Sequence, residues 1–252
     1  MFGSPGRRAV EERLGSLRDE LDVDLCVVNG ENAADGVGLT PRLAERLLAA
    51  GADAITLGNH AWRRRELVEW LPGAERVARP ANLSRHAPGR GLVVVPAREG
   101  EPVAVVSLMG WLFLDVASGP FELVDELIAE AAGEAKVILV DFHAEATSEK
   151  VAMARYLDGR VTAVLGTHTH VQTNDARVQP GGTAAITDAG MTGPHDSVIG
   201  VRAELAISRM RTGVPIRFQP ADGDVRIEGA LVECDAASGR ATACEPVRVI
   251  VS

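Results

Sequence analysis

The sequence has 252 residues, of which 46% are hydrophobic and 24% are charged, and its formal net charge is −9. This length and composition are sufficient for one large α/β domain or two small ones. The negative charge and the lack of a Lys/Arg block exclude a surface for non-specific binding of nucleic acid or of an anionic membrane. A small phosphate-bearing substrate remains compatible, because a bound metal ion can reverse the charge locally.

No segment has the features of a targeting or membrane-spanning sequence. The N-terminal residues lack the apolar stretch of a signal peptide, and the most apolar segment, 103–114, is too short to span a bilayer. The three cysteines, Cys26, Cys234 and Cys244, are odd in number and none belongs to a CxxC pair. We therefore expect a cytoplasmic protein in which they are reduced packing residues.

The apolar patterning predicts a chain of strands and helices in alternation. Residues 1–6 are predicted to form a loop, followed by a helix with an apolar face formed by Val10, Leu14, Leu17 and Leu21. Further helices are predicted to begin at Thr40-Pro41, near Arg64, at Pro120, near Ser148 and near Ala203. The predicted strands are 25–28, 54–57, 92–96, 102–108, 137–140, 161–165, 183–187, 216–218, 225–232 and 247–251, with 92–96 and 102–108 forming an antiparallel hairpin. We find no repeat and no long linker, so we predict one domain over residues 1–252.

Four of these apolar strands lead into residues that commonly bind metal ions. The residues are Glu31 and Asn32, Asn59 and His60, His143, and His168 and His170. Sites in open α/β sheets form outside the carboxyl ends of the strands, so these side chains are expected to converge. Their mixed oxygen and nitrogen donors suit Fe, Mn, Zn or Co. The donors outnumber the ligands of one tetrahedral ion, which favours two ions bridged by a carboxylate such as Glu31.

Each residue also has a purely structural interpretation. The Asn residues could belong to simple turns, Glu31 could be a solvated loop acid, and His143 could be a hydrogen-bonded core histidine. A chance His-x-His on a polar loop could account for His168 and His170. His86 is interpreted as a surface residue, and His195 as part of an ordered loop whose distance from the site is open.

Five segments resemble the YmdB-type metallophosphoesterases, a branch of the calcineurin-like dinuclear phosphoesterases. They are Val28-Asn-Gly-Glu-Asn-Ala33, Leu57-Gly-Asn-His60, Val140-Asp-Phe-His-Ala-Glu-Ala-Thr-Ser-Glu149, Gly166-Thr-His-Thr-His-Val171 and Asp188-Ala-Gly-Met-Thr-Gly-Pro-His-Asp-Ser197. The resemblance extends from about Phe2 to the last strands. It implies a four-layer α/β/β/α sandwich with mixed sheets.

The resemblance also implies a role for each candidate residue. Glu31 would bridge two divalent or trivalent ions, Fe or Mn in preference to Zn or Co. Asn32 and His170 would bind the first ion, and Asn59, His143 and His168 the second. His60 would be the general acid, and a metal-bridging hydroxide would be the nucleophile.

The implied activity is hydrolysis of small phosphodiesters, with cyclic nucleotides of the 2′,3′ or 3′,5′ type as the expected substrates. A phosphomonoesterase is the alternative enzyme, and a regulatory protein with a vestigial metal site is the alternative from another class. No membrane partner is expected, and the sequence is compatible with a homo-oligomer.

The chain departs from the family pattern at its start. The family has an apolar strand that ends in Gly-Asp, whose Asp binds the first ion, immediately before the segment that matches Met1-Phe2-Gly3. We expect that this strand and ligand are missing here because the start codon is assigned inside the true gene.

Overall fold

The computed structural model describes residues 1–251, and their secondary structure comprises six α-helices and twelve strands. The helices are α1 (Gly3–Glu20), α2 (Pro41–Ala49), α3 (Arg65–Trp70), α4 (Pro120–Glu134), α5 (Thr147–Tyr156) and α6 (Ala203–Thr212). The strands are β1 (Val27–Asn29), β2 (Ala54–Thr56), β3 (Val77–Ala78), β4 (Leu92–Pro96), β5 (Pro102–Met109), β6 (Val137–His143), β7 (Ala163–Thr167), β8 (Arg177–Val178), β9 (Ala184–Ile186), β10 (Gly193–Pro194), β11 (Val225–Asp235) and β12 (Arg240–Ile250). Short 3-10 helices span Leu71–Gly73 and Ala81–Leu83.

The strands form three sheets. The first is a parallel sheet in the order β1-β2-β3, and the second is a six-stranded mixed sheet in the order β4-β5-β6-β7-β9-β8. In the second sheet β5, β6, β7 and β9 run parallel, while β4 and β8 are antiparallel edges. The predicted hairpin is therefore confirmed as β4 and β5. The third sheet, β10-β11-β12, is antiparallel and is built mainly from a long hairpin of β11 and β12.

The first two sheets pack face to face between two layers of helices. One apolar cluster joins α1, α2 and α3 to the first sheet and includes Val10, Leu47, Ile55 and Leu67. A second cluster, including Ala54 and Val105, fills the space between the sheets. A third cluster covers the outer face of the second sheet with α4 and α5. The predicted four-layer α/β/β/α sandwich is therefore confirmed.

The pleat of β6 determines which of its side chains reach the site. Ile138, Val140 and Phe142 are buried against α4 and α5. Each large apolar side chain that is fully buried in this way stabilises the fold by about 1.5–3 kcal/mol. Because alternate side chains of a strand point to opposite faces, Asp141 and His143 point toward the first sheet.

Three sequence predictions differ from the structure. Helix α1 begins at Gly3, so residues 1–6 are not a loop; Phe2 holds the helix start through a hydrogen bond from its N to Thr192 O at 2.8 Å. Pro5 is compatible with the first helical turn, where its missing N–H is not needed. Leu21 follows the helix and is exposed, so it does not share the apolar face.

The third difference is the segment 216–218, for which the sequence predicts a strand and which has no regular structure. Residues 211–219 are mostly exposed. Among the described residues, the backbone of 214–219 has one backbone hydrogen bond to the rest of the chain, in which Arg202 N donates to Gln219 O. A short β-like sequence without a neighbouring strand cannot form ladder hydrogen bonds, so its β propensity has no effect.

Within residues 1–251 no helix combines the length and the apolar character that crossing a membrane requires. Cys26, Cys234 and Cys244 are all free thiols. Burial raises the pKa of the Cys26 thiol to about 11, which keeps the thiol protonated and unreactive near neutral pH.

Candidate metal centre

The seven side chains predicted to form a site lie together at the carboxyl ends of four strands. Glu31 and Asn32 follow β1, and Asn59 and His60 follow β2, which lies parallel to it. In the facing sheet His143 ends β6, while His168 and His170 follow the parallel strand β7. Because the two sheets pack face to face, these four strand ends meet at one edge of the sandwich.

Four residues direct donor atoms to one point, and we call them the His143 set: Glu31, Asn59, His143 and His168. His143 Nε2 lies 3.2 Å from Glu31 Oε1, 2.9 Å from Asn59 Oδ1 and 3.0 Å from His168 Nδ1. Ligand atoms of Glu31, His143 and His168 all lie within 4.8 Å of one another. One carboxylate oxygen, one amide oxygen and two imidazole nitrogens are suitable ligands for a first-row transition metal.

A second group, the His170 set, consists of Glu31, Asn32 and His170. Asn32 Nδ2 lies 3.1 Å from Glu31 Oε1 and 3.2 Å from His170 Nε2. The side-chain amide of Asn32 therefore points its nitrogen toward Glu31 and His170. Coordination of an ion by Asn32 Oδ1 at this set requires the amide to rotate. The same carboxylate oxygen, Glu31 Oε1, belongs to both sets, as a bridging carboxylate would.

His60 lies beside both sets. Its Nδ1 is 2.7 Å from Asn32 Oδ1 and 3.9 Å from Glu31 Oε1, and its backbone N donates to Glu31 Oε2 at 3.2 Å. In either orientation of the amide, Asn32 occupies His60 Nδ1. His60 Nε2 is therefore the ring nitrogen that remains available to a substrate.

Hydrogen bonds from outside the two sets fix which nitrogen of His143 faces inward. Thr167 Oγ1 donates to Asp141 Oδ1 at 2.6 Å and accepts from His143 Nδ1 at 2.9 Å. His143 Nε2 is then left to the His143 set, as in metal sites where a polar partner orients the ligand imidazole. Asp141 Oδ2 also accepts from Asn29 and Thr56, so this carboxylate ties β6 and β7 to β1 and β2.

The other two histidines are oriented in the same way. Glu145 Oε2 lies 3.1 Å from His168 Nε2, which directs Nδ1 toward His143. His170 Nδ1 donates to Ile199 O at 2.9 Å, which directs Nε2 toward Asn32. All three imidazoles thus have one nitrogen held by the protein and the other turned toward the donor set to which the histidine belongs.

The charges at the site are set by burial and by close contacts. Burial opposes ionisation of Glu31, but the contacts with His143 and His60 outweigh it and hold the pKa of the carboxyl well below its usual range. Burial likewise opposes charge on His143, yet the carboxylate of Glu31 raises its pKa. Burial, with His143 alongside, lowers the pKa of His168 to about 4, and burial also lowers the pKa of His170 and of His60. The imidazoles of His168 and His170 are therefore uncharged at neutral pH, as metal-binding imidazoles must be.

The space between Glu31 and His143 depends on Gly58. A Cβ added there would meet both side chains, with His143 Nε2 only 2.3 Å away. A Cβ atom cannot hydrogen-bond and is strongly repelled by a non-bonded heavy atom closer than about 3 Å, so no other residue can precede Asn59 without moving Glu31 or His143.

The loop that carries His168 and His170 is strained. Both residues have left-handed backbone conformations, with φ of 98° and 64°. Each such conformation of a non-glycine residue costs about 1–3 kcal/mol and persists only where its surroundings hold it. Thr169 between them is held by Asp188, whose Oδ2 accepts from Thr169 N at 3.1 Å and Thr169 Oγ1 at 2.6 Å.

A buried ion pair between Lys150 and Asp188 supports the loop that carries His168 and His170. Lys150 Nζ lies 2.8 Å from Asp188 Oδ2, and both side chains are almost completely inaccessible to solvent. Removing one member of a buried pair leaves the other charge without compensation. The pair therefore holds Thr169 in place, and the position of Thr169 depends on both Lys150 and Asp188.

We expect Lys150→Met to lower the free energy of unfolding by about 3–5 kcal/mol, because it leaves Asp188 charged, buried and without its ammonium. Urea denaturation of the metal-free protein measures this without a contribution from bound ions. The double variant Lys150→Met/Asp188→Asn should recover part of the loss. Arg65→Met, which breaks the exposed pair with Glu69, is the control and should leave the midpoint unchanged. Equal midpoints for Lys150→Met and wild type would contradict this account.

The two remaining histidines lie apart from these sets. His195 Nε2 is 2.9 Å from Met191 O and 3.7 Å from Glu228 Oε2, and His86 is exposed. The sequence patterns assign no role to Asp141, Glu145, Thr167, Lys150 or Asp188. The spacing of Asp141 and His143, two residues apart on a strand, is the one available signal that both face the site.

Comparisons with known proteins show which proteins this chain resembles. A model of the family described as "YmdB-like protein" matches residues 1–247. The chain is 45% identical to a 2′,3′-cyclic-nucleotide 2′-phosphodiesterase of Bacillus subtilis (strain 168), over 99% of this chain and 94% of the relative. A solved structure of a hypothetical protein from Thermus thermophilus superposes with a TM-score of 0.91 at 43% identity, covering 99% and 96% of the two chains. A solved structure described as a novel phosphatase, from Mycoplasma pneumoniae, superposes with a TM-score of 0.90 at 33% identity, covering 99% and 90%.

Proposed function

Because the chain belongs to the YmdB-like protein family and is a hydrolase, we propose that it cleaves nucleoside 2′,3′-cyclic phosphates in a metal-dependent reaction. The observation that carries this proposal is the convergence of two donor sets on one shared carboxylate oxygen of Glu31. The substrate class follows the name of the Bacillus subtilis relative.

The His143 set and the His170 set would each hold one ion, with Glu31 shared between them. Fe or Mn is proposed in preference to Zn or Co because the resemblance to the family implies them, and the carboxylate, amide and imidazole donors suit these ions. When bound, the ions would supply Lewis-acid polarisation of the phosphoryl group and activation of the attacking water.

His60 would act on the leaving oxygen of the ester. Asn32 holds Nδ1, so a proton can be given up or taken at Nε2 without a change at the other nitrogen. Burial lowers the pKa of His60, whereas the charge of Glu31 raises it. A bound phosphodiester anion adds a second negative charge and favours the protonated ring further. Glu31 therefore both fixes the backbone of His60 and supports its charged form.

We expect faster turnover of bis-p-nitrophenyl phosphate, a diester, than of p-nitrophenyl phosphate, a monoester. The alternative that a specific finding favours is a phosphomonoesterase, since the Mycoplasma pneumoniae structure is described as a phosphatase. The assay compares the two chromogenic substrates and then adenosine 2′,3′-cyclic phosphate, each before and after removal and return of Mn²⁺ or Fe²⁺. Faster monoester cleavage would favour the alternative, and activity that survives complete metal removal would contradict the proposed metal dependence.

A further inference from the structure

The loop between β5 and α4 exposes large apolar side chains beside the candidate metal centre. Trp111, Leu112 and Phe113 are 63%, 48% and 85% exposed. Only 4% of the chain is aromatic, so two rings exposed within three residues are a distinctive feature of this surface. Contiguous exposed apolar groups of this kind mark binding surfaces more often than isolated ones do.

The loop is fixed at its base. Glu149, which is buried, accepts from Trp111 N at 2.8 Å and from Leu112 N at 3.0 Å through its two carboxylate oxygens. Asn82 donates from Nδ2 to Met109 O at 2.8 Å and to Ser118 O at 3.3 Å. Both ends of the loop are thus held by buried side chains, and the exposed tip is presented in a defined position.

Phe113 is the more exposed of the two rings. A Cβ at Gly119, where the loop closes, would lie 3.3 Å from the Trp111 ring, so Trp111 folds back over the base of the loop. Phe113 itself has φ of 68°, a left-handed conformation that is rare for a bulky residue. Strain of this kind is found chiefly at functional sites, where the surrounding structure holds it.

The loop starts directly beside the His143 set. Gly110 N donates to His143 O at 3.0 Å, and a Cβ at Gly110 would lie only 2.6 Å from Ala144 Cβ. Glu145, which orients His168, follows Ala144 in the sequence. A substrate whose phosphate is held at the metal centre would therefore extend its remaining groups past this loop.

Other exposed apolar side chains also border the centre. Trp62 lies two residues after His60, Val171 follows His170, and Ile199 accepts the hydrogen bond from His170. Asp115 is the only charged residue in the segment 110–119, so the loop offers no cation to a polyanion or an acidic membrane. The surface is suited to a flat, uncharged ring.

We propose that Phe113 forms the stacking face for the base of a nucleoside cyclic phosphate held at the metal centre. This inference rests on the proposed function and adds a base subsite to it. Stacking of a base on an aromatic side chain is sequence-tolerant, because every base has a π face. The subsite should therefore favour nucleotides over base-free cyclic phosphates without selecting one base.

The test compares adenosine 2′,3′-cyclic phosphate with ribose 2′,3′-cyclic phosphate, which lacks the base. Phe113→Ala should raise KM for the nucleotide about 10-fold with kcat unchanged, since stacking contributes equally in the ground and transition states. KM for the ribose phosphate should not change. Phe113→Tyr should restore the wild-type KM, and Met210→Ala, which removes an exposed side chain from α6, should have no effect.

Two outcomes would overturn the base subsite alone. One is an equal effect, or no effect, of Phe113→Ala on the two substrates. The other is a change in the oligomeric state of Phe113→Ala relative to the wild type, measured by light scattering. Such a change would show that the loop is a contact between copies of the chain. A wild-type enzyme that hydrolyses neither cyclic phosphate would instead contradict the proposed function, so the two failures are distinguishable.

Discussion

Replacement of His60 by alanine is expected to lower kcat for adenosine 2′,3′-cyclic phosphate about 100-fold while both metal ions stay bound. The expectation follows from the position of His60, which contacts Asn32 and Glu31 but has Nε2 free. A general acid is needed most where the leaving oxygen is strongly basic. The loss should therefore be much smaller for bis-p-nitrophenyl phosphate, whose p-nitrophenolate leaves without a proton.

Metal content by mass spectrometry and kcat for the two substrates check this prediction together. His86→Ala is the matched control, because His86 is an exposed histidine away from the centre. Loss of metal in His60→Ala would make His60 a ligand and overturn its assigned role. An equal loss with both substrates would show that the imidazole stabilises phosphoryl charge instead of protonating the leaving group.

The second large effect is expected at the two histidines of the strained loop. His168→Ala should lose the ion of the His143 set, and His170→Ala should lose the ion of the His170 set. Each variant should bind one ion fewer than the wild type, because each histidine supplies a nitrogen to one set only. Removal of one ligand from a set of three or four leaves too few donors to hold the ion.

Stoichiometry after reconstitution with excess Mn²⁺, measured on desalted protein, distinguishes these cases. His195→Gln is the control and should retain both ions, because His195 contacts Met191 and Glu228 instead. Two ions in His168→Ala, or none in either variant, would contradict the division of the donors into two sets that share Glu31.

The candidate residues could be predicted because of a general property of parallel strands. Glu31, Asn59, His143 and His168 each follow an apolar strand, and parallel strands end at one edge of a sheet. Knowledge of the order of the strands was not required for that inference. The alternation of apolar strands and helices predicted an α/β domain, whereas the four-layer sandwich was implied by the resemblance to the family.

The groups that orient the ligands could not be predicted in the same way. Lys150 and Asp188 are 38 residues apart in sequence, and Asn29 meets Asp141 across 112 residues. Such pairs depend on how elements that are distant in sequence are placed against one another, and local patterns carry no information about that. The strand predicted over 216–218 was wrong for the same reason, because this β-like sequence has no strand beside it.

The division of the donors between two distant parts of the chain has a consequence for biosynthesis. Glu31, Asn32 and Asn59 leave the ribosome early, while His170 follows at a delay of about 5–20 s at ordinary rates of translation. During that interval the nascent chain lacks His168 and His170, so neither donor set is complete. Both donor sets are therefore completed only after synthesis has passed β7, so a metal ion that needs a full set would be bound by the folded chain and not by the growing polypeptide.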